Sequence, residues 1–273
     1  MKNVTIGFIG GGSMARSLIG GLVASGIAPD ALQVHDLKAD AVDALVRDFG
    51  VRAVPDNQQL LDHCDIVVLA VKPQAMKSAV GMLKVPAARK VLFVSIAAGI
   101  RAGALQRWLG GGCAIVRAMP NTPALVQSGA TALYATPEVS DAQKDDAESV
   151  LRAVGMTLWV QDEAQIDAVT ALSGSGPAYI FLVMEAMEKA GQQLGLTPEA
   201  AHLLTVETAF GAAKLALEAR EGSAALREKV TSPGGTTEQA LKVLQDGDLV
   251  RLFERAISAA HRRSVELANE LGS

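Results

Sequence analysis

Residues 4–15 read VTIGFIGGGSMA, and this stretch decides the fold. The apolar run Val4–Ile9 predicts a buried strand, and the spacing of apolar residues over Met14–Ser25 predicts a helix. Between them lies the pattern G-x-G-x-x-A, formed by Gly10, Gly12 and Ala15. Such a pattern is typical of a strand that turns tightly into a helix packed closely against it.

The same alternation of strand and helix continues along the chain. Amphipathic segments at Ala39–Phe49 and Gln74–Leu83 predict further helices, and Ser140 with Gln143 forms a capping box at the start of another. Strands are predicted at Gln33–Asp36, Ile66–Val71, Val91–Ile96, Ala114–Arg117, Thr131–Tyr134 and Thr157–Val160. This order predicts an α/β fold, with an N-terminal Rossmann-like doubly wound sheet.

From Glu163 onward the sequence carries only helical periodicity. Thr197 and Pro198 form a helix start, with a capping hydroxyl before a proline at the first helical position. Helices are predicted at Gly176–Leu194, Ala201–Ala219, Glu238–Leu244 and Leu249–Leu271. We therefore expect two domains, an α/β domain over residues 1–162 and an all-helical domain over residues 163–273.

Composition excludes several classes of protein. Of the 273 residues, 49% are hydrophobic and 20% charged, which is typical of a folded globular chain. The net charge of −4 and the lack of basic runs argue against a nucleic-acid partner. No signal-like start is present, and no apolar run reaches the ~18 residues of a membrane span. We expect a cytoplasmic protein that binds neither nucleic acid nor a membrane. Cys64 and Cys113 give no reason to expect a disulfide.

The glycine-rich turn predicts a dinucleotide site. In its pattern, Gly10 allows the tight turn and Gly12 lets the backbone approach a pyrophosphate, while the helix start offers free N–H groups. A glycine-rich turn often serves only to reverse the chain, but this one lies at a strand–helix junction, where a dinucleotide site requires it. Residues expected to bind the cofactor here are Ile9, Gly10, Gly11, Gly12, Ser13 and Met14.

Two further strand ends carry candidate cofactor residues. Asp36 follows the second strand, where a carboxylate binds the ribose hydroxyls of NAD and repels the 2′-phosphate of NADP. Lys38 is close enough to offset part of that repulsion, and Asp36 has the alternative role of a turn residue or helix cap. After the third strand, Lys72 is either a phosphate ligand or a charged residue that precedes a helix.

The least usual stretch is the loop at residues 230–238, VTSPGGTTE. Gly234 and Gly235 are expected to leave backbone N–H groups open to an anion, and the helix start behind them favours a carboxylate. As an alternative, Thr236 and Gln239 form a capping box that explains the hydroxyls structurally.

Three long motifs give the chain a family resemblance. Residues 232–241 read SPGGTTEQAL, residues 172–179 read LSGSGPAY, and residues 117–124 read RAMPNTPA. With these motifs the chain resembles the pyrroline-5-carboxylate reductases over nearly its whole length. The resemblance implies reduction of 1-pyrroline-5-carboxylate to L-proline with NADPH or NADH. It also implies the 6-phosphogluconate-dehydrogenase-like arrangement, a Rossmann domain followed by a helical dimerisation domain.

The resemblance also implies roles for single residues. Thr237 takes the place of the active-site hydroxyl near the imine nitrogen, and Gly234, Gly235 and Thr236, with Ser232 beside them, hold the substrate carboxylate. Further positions that match the family line the substrate or the cofactor: Asn121, Ser175 and Pro177 for the first, and Asn57, Ala70, Val71, Lys72, Pro73, Ala97 and Ala98 for the second. The resemblance further implies a homodimer with interlocked helices, and the family often assembles further into pentamers of dimers.

Two other functions compete with this one. A β-hydroxyacid dehydrogenase of the same fold group uses a catalytic lysine on a second-domain helix, and Lys214 lies in a comparable segment. A non-catalytic NAD(P)-binding protein needs only the first domain. The loop at residues 232–237 is foreign to the first alternative and unnecessary for the second. The sequence offers no Ser/His/Asp set, carboxylate pair or metal-ligand cluster.

Overall fold

In the computed structural model, the described residues are 4–86 and 89–272. They form an eight-stranded sheet in the order β3-β2-β1-β4-β5-β6-β7-β8. Every neighbouring pair is parallel except β6 and β7, which run antiparallel and are joined through the 3-10 helix Thr122–Val126. The strands are β1 Ile6–Ile9, β2 Leu32–His35, β3 Arg52–Ala53, β4 Ile66–Leu69, β5 Leu92–Ser95, β6 Ala114–Met119, β7 Gly129–Ala135 and β8 Gly155–Trp159.

The chain divides into two compact units. The first contains the sheet, extends to Ser175 and also includes Ala260–Ser273, whereas the second is Gly176–Ala259. The first seven helices are α1 Ser13–Ala24, α2 Ala39–Phe49, α3 Asn57–His63, α4 Met76–Val80, α5 Ala102–Trp108, α6 Asp141–Arg152 and α7 Gln165–Val169. The remaining helices are α8 Gly176–Gln193, α9 Pro198–Glu218, α10 Ser223–Lys229, α11 Thr236–Asp246 and α12 Leu249–Leu271.

The core of the first unit lies on both faces of the sheet. On one face, Phe8, Val34 and Val68 pack with α1 residues such as Leu18 and other buried aliphatic side chains. On the other face, Phe93, Ile115 and their neighbours pack with residues of α3 and α5. Because both faces are covered, the strands are almost continuously apolar, as a parallel sheet requires.

The central strands end in register, which gives the first unit one functional edge. Ile9 is paired with His35 on one side and with Leu69 on the other. The same row continues through Ser95 to Arg117. The loops that follow these strands therefore begin at a common level, where open α/β sheets bind their ligands.

The second unit has almost no core of its own. Its helices include α8, α9 and α11, yet Ala201 is the one hydrophobic residue described as buried there. Large apolar side chains lie exposed along α8 instead: Ile180, Phe181, Leu182, Val183 and Met187. An exposed apolar surface of this kind is typical of a site that binds other protein, a ligand or a membrane.

Most predicted elements are present, with instructive differences. The antiparallel strand β7 modifies the doubly wound sheet, and β3, α3, α5 and α10 were not predicted. The predicted helix Gln74–Leu83 is a 3-10 turn followed by the short α4. The predicted domain boundary at 162/163 lies inside the first compact unit. This unit continues to Ser175 and also contains the C-terminal part of α12.

One helical run has the length and apolarity of a membrane span. It covers Gln165–Gln193, which is 29 residues long, and an 18-residue stretch within it has a mean hydropathy of 1.3 and is 17% buried within this chain. The count of consecutive apolar residues did not indicate this. A single such helix is weak evidence for a span, since helices buried inside proteins meet the same criterion.

Candidate active site

The turn after β1 requires its first glycine. Gly10 has a φ of +104°, and a Cβ placed on it would lie 2.7 Å from the carbonyl oxygen of Ala70. Its N–H donates to the carbonyl of His35 at 2.8 Å. The turn is thus fixed between β2 and the end of β4, and a side chain at Gly10 would displace backbone.

Gly12 is different, because a Cβ placed there would meet no protein atom within 4 Å. It is the N-cap residue of α1 and makes no side-chain cap. Within the described chain, no protein acceptor binds the N–H groups of Gly12, Ser13 or Met14. An open glycine beside free N–H groups at a helix start fits a pyrophosphate, because the groups and the helix dipole both favour an anion.

Asp36 is tied to the glycine turn. Its Oδ2 accepts the N–H of Gly11 at 2.7 Å, and its Oδ1 accepts the N–H of Lys38 at 2.9 Å. The carboxylate therefore has a fixed position at the end of β2, and Asp36 remains half-buried. The carboxylate thus has the structural role of a turn residue, and its binding to the cofactor ribose stays a prediction.

The loops after β4 and β5 begin next to each other, because the last residues of these two strands, Leu69 and Ser95, are paired in the sheet. Ala70 donates its N–H to Ile9 and Ile96 donates to Leu69, so the two loops continue the sheet ladder. Ala97 is buried, Ala98 is half-buried and Lys72 is exposed. The structure thus brings the predicted segments Ala70–Pro73 and Ala97–Ala98 to the edge that carries the glycine turn.

Asn57 starts α3, after β3. Its Nδ2 donates to the carbonyl of Ala79 at 3.1 Å, and its buried Oδ1 has no partner among the described residues. A buried oxygen without a partner is costly, and a ligand hydroxyl or water satisfies it.

Asn121 joins two motifs of the sequence. Its Nδ2 donates to the Oγ and the carbonyl of Ser173 at 3.2 and 3.3 Å, and its Oδ1 accepts the N–H of Ala130 at 2.9 Å. Thr170–Gly174 is a π-helical segment, closed by the N–H of Ser175 donating to Thr170. Such segments are frequent at functional sites. Pro177 follows at the start of α8, in the second unit.

The loop from Ser232 to Thr237 belongs to the second unit and leads into α11. Gly234 has a φ of +72°, which explains the glycine. Its N–H donates to Oε2 of Glu238 at 2.8 Å, and the N–H of Gly235 donates to the carbonyl of Ser232 at 3.0 Å. The expectation that both glycine N–H groups are open is therefore wrong.

The predicted capping box at Thr236 is also wrong. Gly235 is the N-cap residue of α11 and no side chain caps the helix, so Thr236 and Thr237 occupy its first two positions. Both threonines are exposed, and no protein acceptor in the described chain binds their N–H groups. The open donors of this loop thus lie one to two residues later than the sequence indicated, beside the Thr237 hydroxyl.

The cysteines contribute no nucleophile. Burial, followed by the nearby Asp65 carboxylate, raises the pKa of Cys64 to about 12. Burial also raises the pKa of Cys113, with a smaller effect of Glu138. Both thiols are free and remain protonated near neutral pH.

Two carboxylates that bond to loop residues of the candidate site or to the start of α5 were not singled out from the sequence. Glu238 follows Thr237 and closes the Gly234 turn. Glu163, used only to mark the domain boundary, bonds Arg117 and the start of α5. The partners of Glu163 are distant along the chain, so no local pattern could have revealed them.

Comparison with family models accounts for both units. Residues 163–267 match the model described as pyrroline-5-carboxylate reductase dimerisation. Residues 5–99 match the model described as NADP oxidoreductase, coenzyme F420-dependent.

Whole-chain relatives agree. A pyrroline-5-carboxylate reductase of Pseudomonas aeruginosa is 49% identical over 272 residues, covering 100% of each chain. The solved pyrroline-5-carboxylate reductase of Coxiella burnetii superposes with a TM-score of 0.94 at 48% identity, covering 98% of this chain and 99% of that one. The pyrroline carboxylate reductase of Plasmodium falciparum, solved with NADP bound, gives 0.86 at 29% identity, covering 98% and 99%. The resemblance seen in the three motifs is thereby confirmed, and this chain belongs to the pyrroline-5-carboxylate reductase family.

Proposed function

We propose that this chain reduces 1-pyrroline-5-carboxylate to L-proline with NADPH or NADH, the last step of proline biosynthesis. One observation carries the proposal. A chain 49% identical over its whole length to a pyrroline-5-carboxylate reductase also has the open turn at Gly12 that a dinucleotide needs. The alternatives with Lys214 as a catalytic lysine, or with no catalysis, leave the loop at residues 232–237 without a role.

The dinucleotide lies along the carboxyl edge of the sheet in this proposal. Its pyrophosphate binds the free N–H groups at the start of α1, and the adenosine ribose faces Asp36. Asn57 offers its unpartnered Oδ1 to the same half of the cofactor. Ala97 and Ala98 then line the nicotinamide half of the cofactor. Lys72 and its neighbours lie between the adenosine half and the nicotinamide half.

Both reduced cofactors are accepted. The fixed carboxylate of Asp36 favours the ribose hydroxyls of NADH, and it repels the 2′-phosphate of NADPH. Lys38 is exposed two residues later and offsets part of that repulsion. Asp36 is therefore the residue that sets the preference.

The substrate carboxylate binds the open N–H groups of Thr236 and Thr237 at the start of α11. A helix N-terminus favours an anion through its dipole as well as through its donors. Ser232, Gly234 and Gly235 shape this loop. Asn121, Ser175 and Pro177 complete the substrate side.

The chemistry asks for alignment and for one proton. When bound, NAD(P)H supplies the hydride that reduces C5 of the ring. The imine nitrogen is protonated, and the Thr237 hydroxyl holds that proton in place by accepting a hydrogen bond from the N–H. C5 gains a hydrogen with its electron pair, the π pair of the C=N bond moves onto the nitrogen as a lone pair, and the nitrogen keeps its proton. No charged general acid is needed at this position.

The protein works as a homodimer with interlocked helices, in which each active site uses both chains. The support is the exposed apolar surface of α8 and the near absence of buried residues in the second unit. An obligate interface of more than about 2,000 Å² would cover such a surface. In the same proposal α8 is an interface helix rather than a membrane span, and the protein is cytoplasmic. Dimers assemble further into decamers.

The decisive experiment is a spectrophotometric assay with each reduced cofactor. Oxidation of NADH or NADPH should require 1-pyrroline-5-carboxylate, with L-proline as the product. Equal oxidation of the cofactor with the carbonyl substrate of a β-hydroxyacid dehydrogenase would contradict the proposal. Binding of NAD(P)H without turnover would contradict it as well.

A further inference from the structure

We infer that Glu163 is a positioning residue for NAD(P)H, acting through the loop between β5 and α5. The inference rests on the proposed placement of the nicotinamide half beside Ala97 and Ala98. Glu163 does not need to touch the cofactor for this role, since it holds the backbone that does.

The Glu163 carboxylate joins two elements. Its Oε1 accepts the N–H of Ala102 at 2.7 Å and a hydrogen bond from Nη1 of Arg117 at 3.1 Å. Ala102 is the first residue of α5, and the N-cap residue Arg101 makes no side-chain cap. Glu163 therefore supplies from a distance an acceptor for one of the backbone N–H groups that the start of a helix leaves without a partner.

Arg117 makes this contact energetically important. The residue is 1% exposed, and its Nε and Nη2 have no hydrogen-bond partner among the described residues. Glu163 is the carboxylate within ion-pair distance of this buried guanidinium. The Glu163 side chain is partly exposed, but removing it would leave the buried charge of Arg117 uncompensated, which is unfavourable.

The loop itself is held at three points. At its start, Ile96 donates its N–H to Leu69 and so continues the sheet. In its middle, Gly99 has a φ of +72° and packs against α12, with Leu267 and Leu271 each 3.5 Å from where its Cβ would lie. At its end it is held by Glu163. The positions of Ala97 and Ala98 depend on these restraints, and Glu163 provides the charged one.

The test is a direct titration of NADH and NADPH binding, followed by the quenching of protein fluorescence. Glu163→Ala should raise Kd for both cofactors about tenfold, because it removes a charge-assisted bond and lets the loop shift. Glu163→Gln keeps an acceptor for Ala102 and should raise Kd less. KM for 1-pyrroline-5-carboxylate should change little, because the inference assigns Glu163 to the cofactor loop and not to the proposed substrate loop from Ser232 to Thr237.

Glu148 provides the matched control. It too joins separate elements, accepting from Nε1 of Trp159 at 3.1 Å and from Oγ1 of Thr157 at 3.0 Å, away from the β5–α5 loop. Glu148→Ala should lower Tm with Kd unchanged. A wild-type Kd in Glu163→Ala, or in Glu163→Gln if the alanine variant does not fold, would overturn the inference, as would an equal rise in Kd for Glu148→Ala.

A variant at Gly12 separates the test of the proposed cofactor placement from the test of the role of Glu163. Gly12→Asp should abolish tight cofactor binding if the cofactor lies at the glycine turn. If this variant binds normally, the cofactor placement fails and the role of Glu163 fails with it. If Gly12→Asp loses binding and the Glu163 variants do not, only the role of Glu163 is overturned.

Discussion

Oδ2 of Asp36 lies 2.7 Å from the backbone nitrogen of Gly11, so the end of β2 is bonded directly to the turn that follows β1. A residue expected to select the cofactor therefore also stabilises the turn that is proposed to bind it. Replacing Asp36 changes both properties, and a variant series is needed to separate them.

Asp36→Asn and Asp36→Ser should both shift the preference toward NADPH. A carboxylate about 5 Å from a phosphate charge interacts by roughly 3 kcal/mol at an effective dielectric of 20, and we expect exposure and Lys38 to leave about 1 kcal/mol. The ratio of kcat/KM for NADPH to that for NADH should thus rise about fivefold. Asn keeps an acceptor for Gly11, so its Tm should exceed that of the Ser variant. Unchanged ratios in both would show that Asp36 does not face the ribose.

Gly12 allows a clean test of the pyrophosphate site. Asn and Asp are both favoured at a helix N-cap, and neither Cβ meets protein, so Gly12→Asn and Gly12→Asp should keep the wild-type Tm. Both should weaken NAD(P)H binding by bulk, and Asp should weaken it at least about fivefold more through charge repulsion. Equal Kd values for the two variants, measured by titration, would place the phosphates elsewhere.

Thr237→Ala should lower kcat about a hundred- to a thousandfold, since a positioned hydrogen-bonding group contributes roughly 2.7–4 kcal/mol to a transition state. KM for NAD(P)H should stay near wild type, and Thr237→Ser should restore most of the turnover. Thr236→Ala is the control, because Thr236 caps nothing and its loss should leave Tm unchanged. A near-wild-type kcat in Thr237→Ala would show that the hydroxyl has only a structural role.

Mixing two inactive variants tests the shared site. If Gly12→Asp and Thr237→Ala chains are refolded together, about half of the dimers are mixed, and each has one intact site when the site uses both chains. Activity should then recover to about a quarter of wild type. No recovery despite proven subunit exchange, or elution as a monomer in gel filtration, would contradict a site built from two chains.

The sequence predicted the parts of the fold that are written locally. The strand, glycine turn and helix at residues 4–25 were predicted because apolar runs and glycine positions define them, and Ala39–Phe49 was predicted to the residue. The two-residue β3 was missed because Arg52 and Ala53 are exposed and carry no pattern. α10 was missed because its seven residues give too short a period to separate from the flanking loops.

The site shows the same division between local and distant information. The glycine turn and Asp36 were found from their spacing, but the partners of Gly234 and Gly235 were not. The capping box predicted from Thr236 and Gln239 does not form, because the helix already begins at Thr236 with Gly235 as its N-cap residue, and Glu238 accepts the N–H of Gly234. The contacts of Glu163 join residues far apart in the chain, and only the folded sheet brings them together.

The first compact unit has a consequence for the order in which the chain is made. Its Asp167 accepts a hydrogen bond from Ser264 at 2.6 Å, with both residues buried, and Gly99 packs on Leu271. Domains usually fold as they leave the ribosome, N-terminal first. Here the dinucleotide-binding unit must wait for the final turns of α12 before its last buried positions are filled. A premature stop codon before residue 260 would therefore harm the N-terminal unit as well as the helical one.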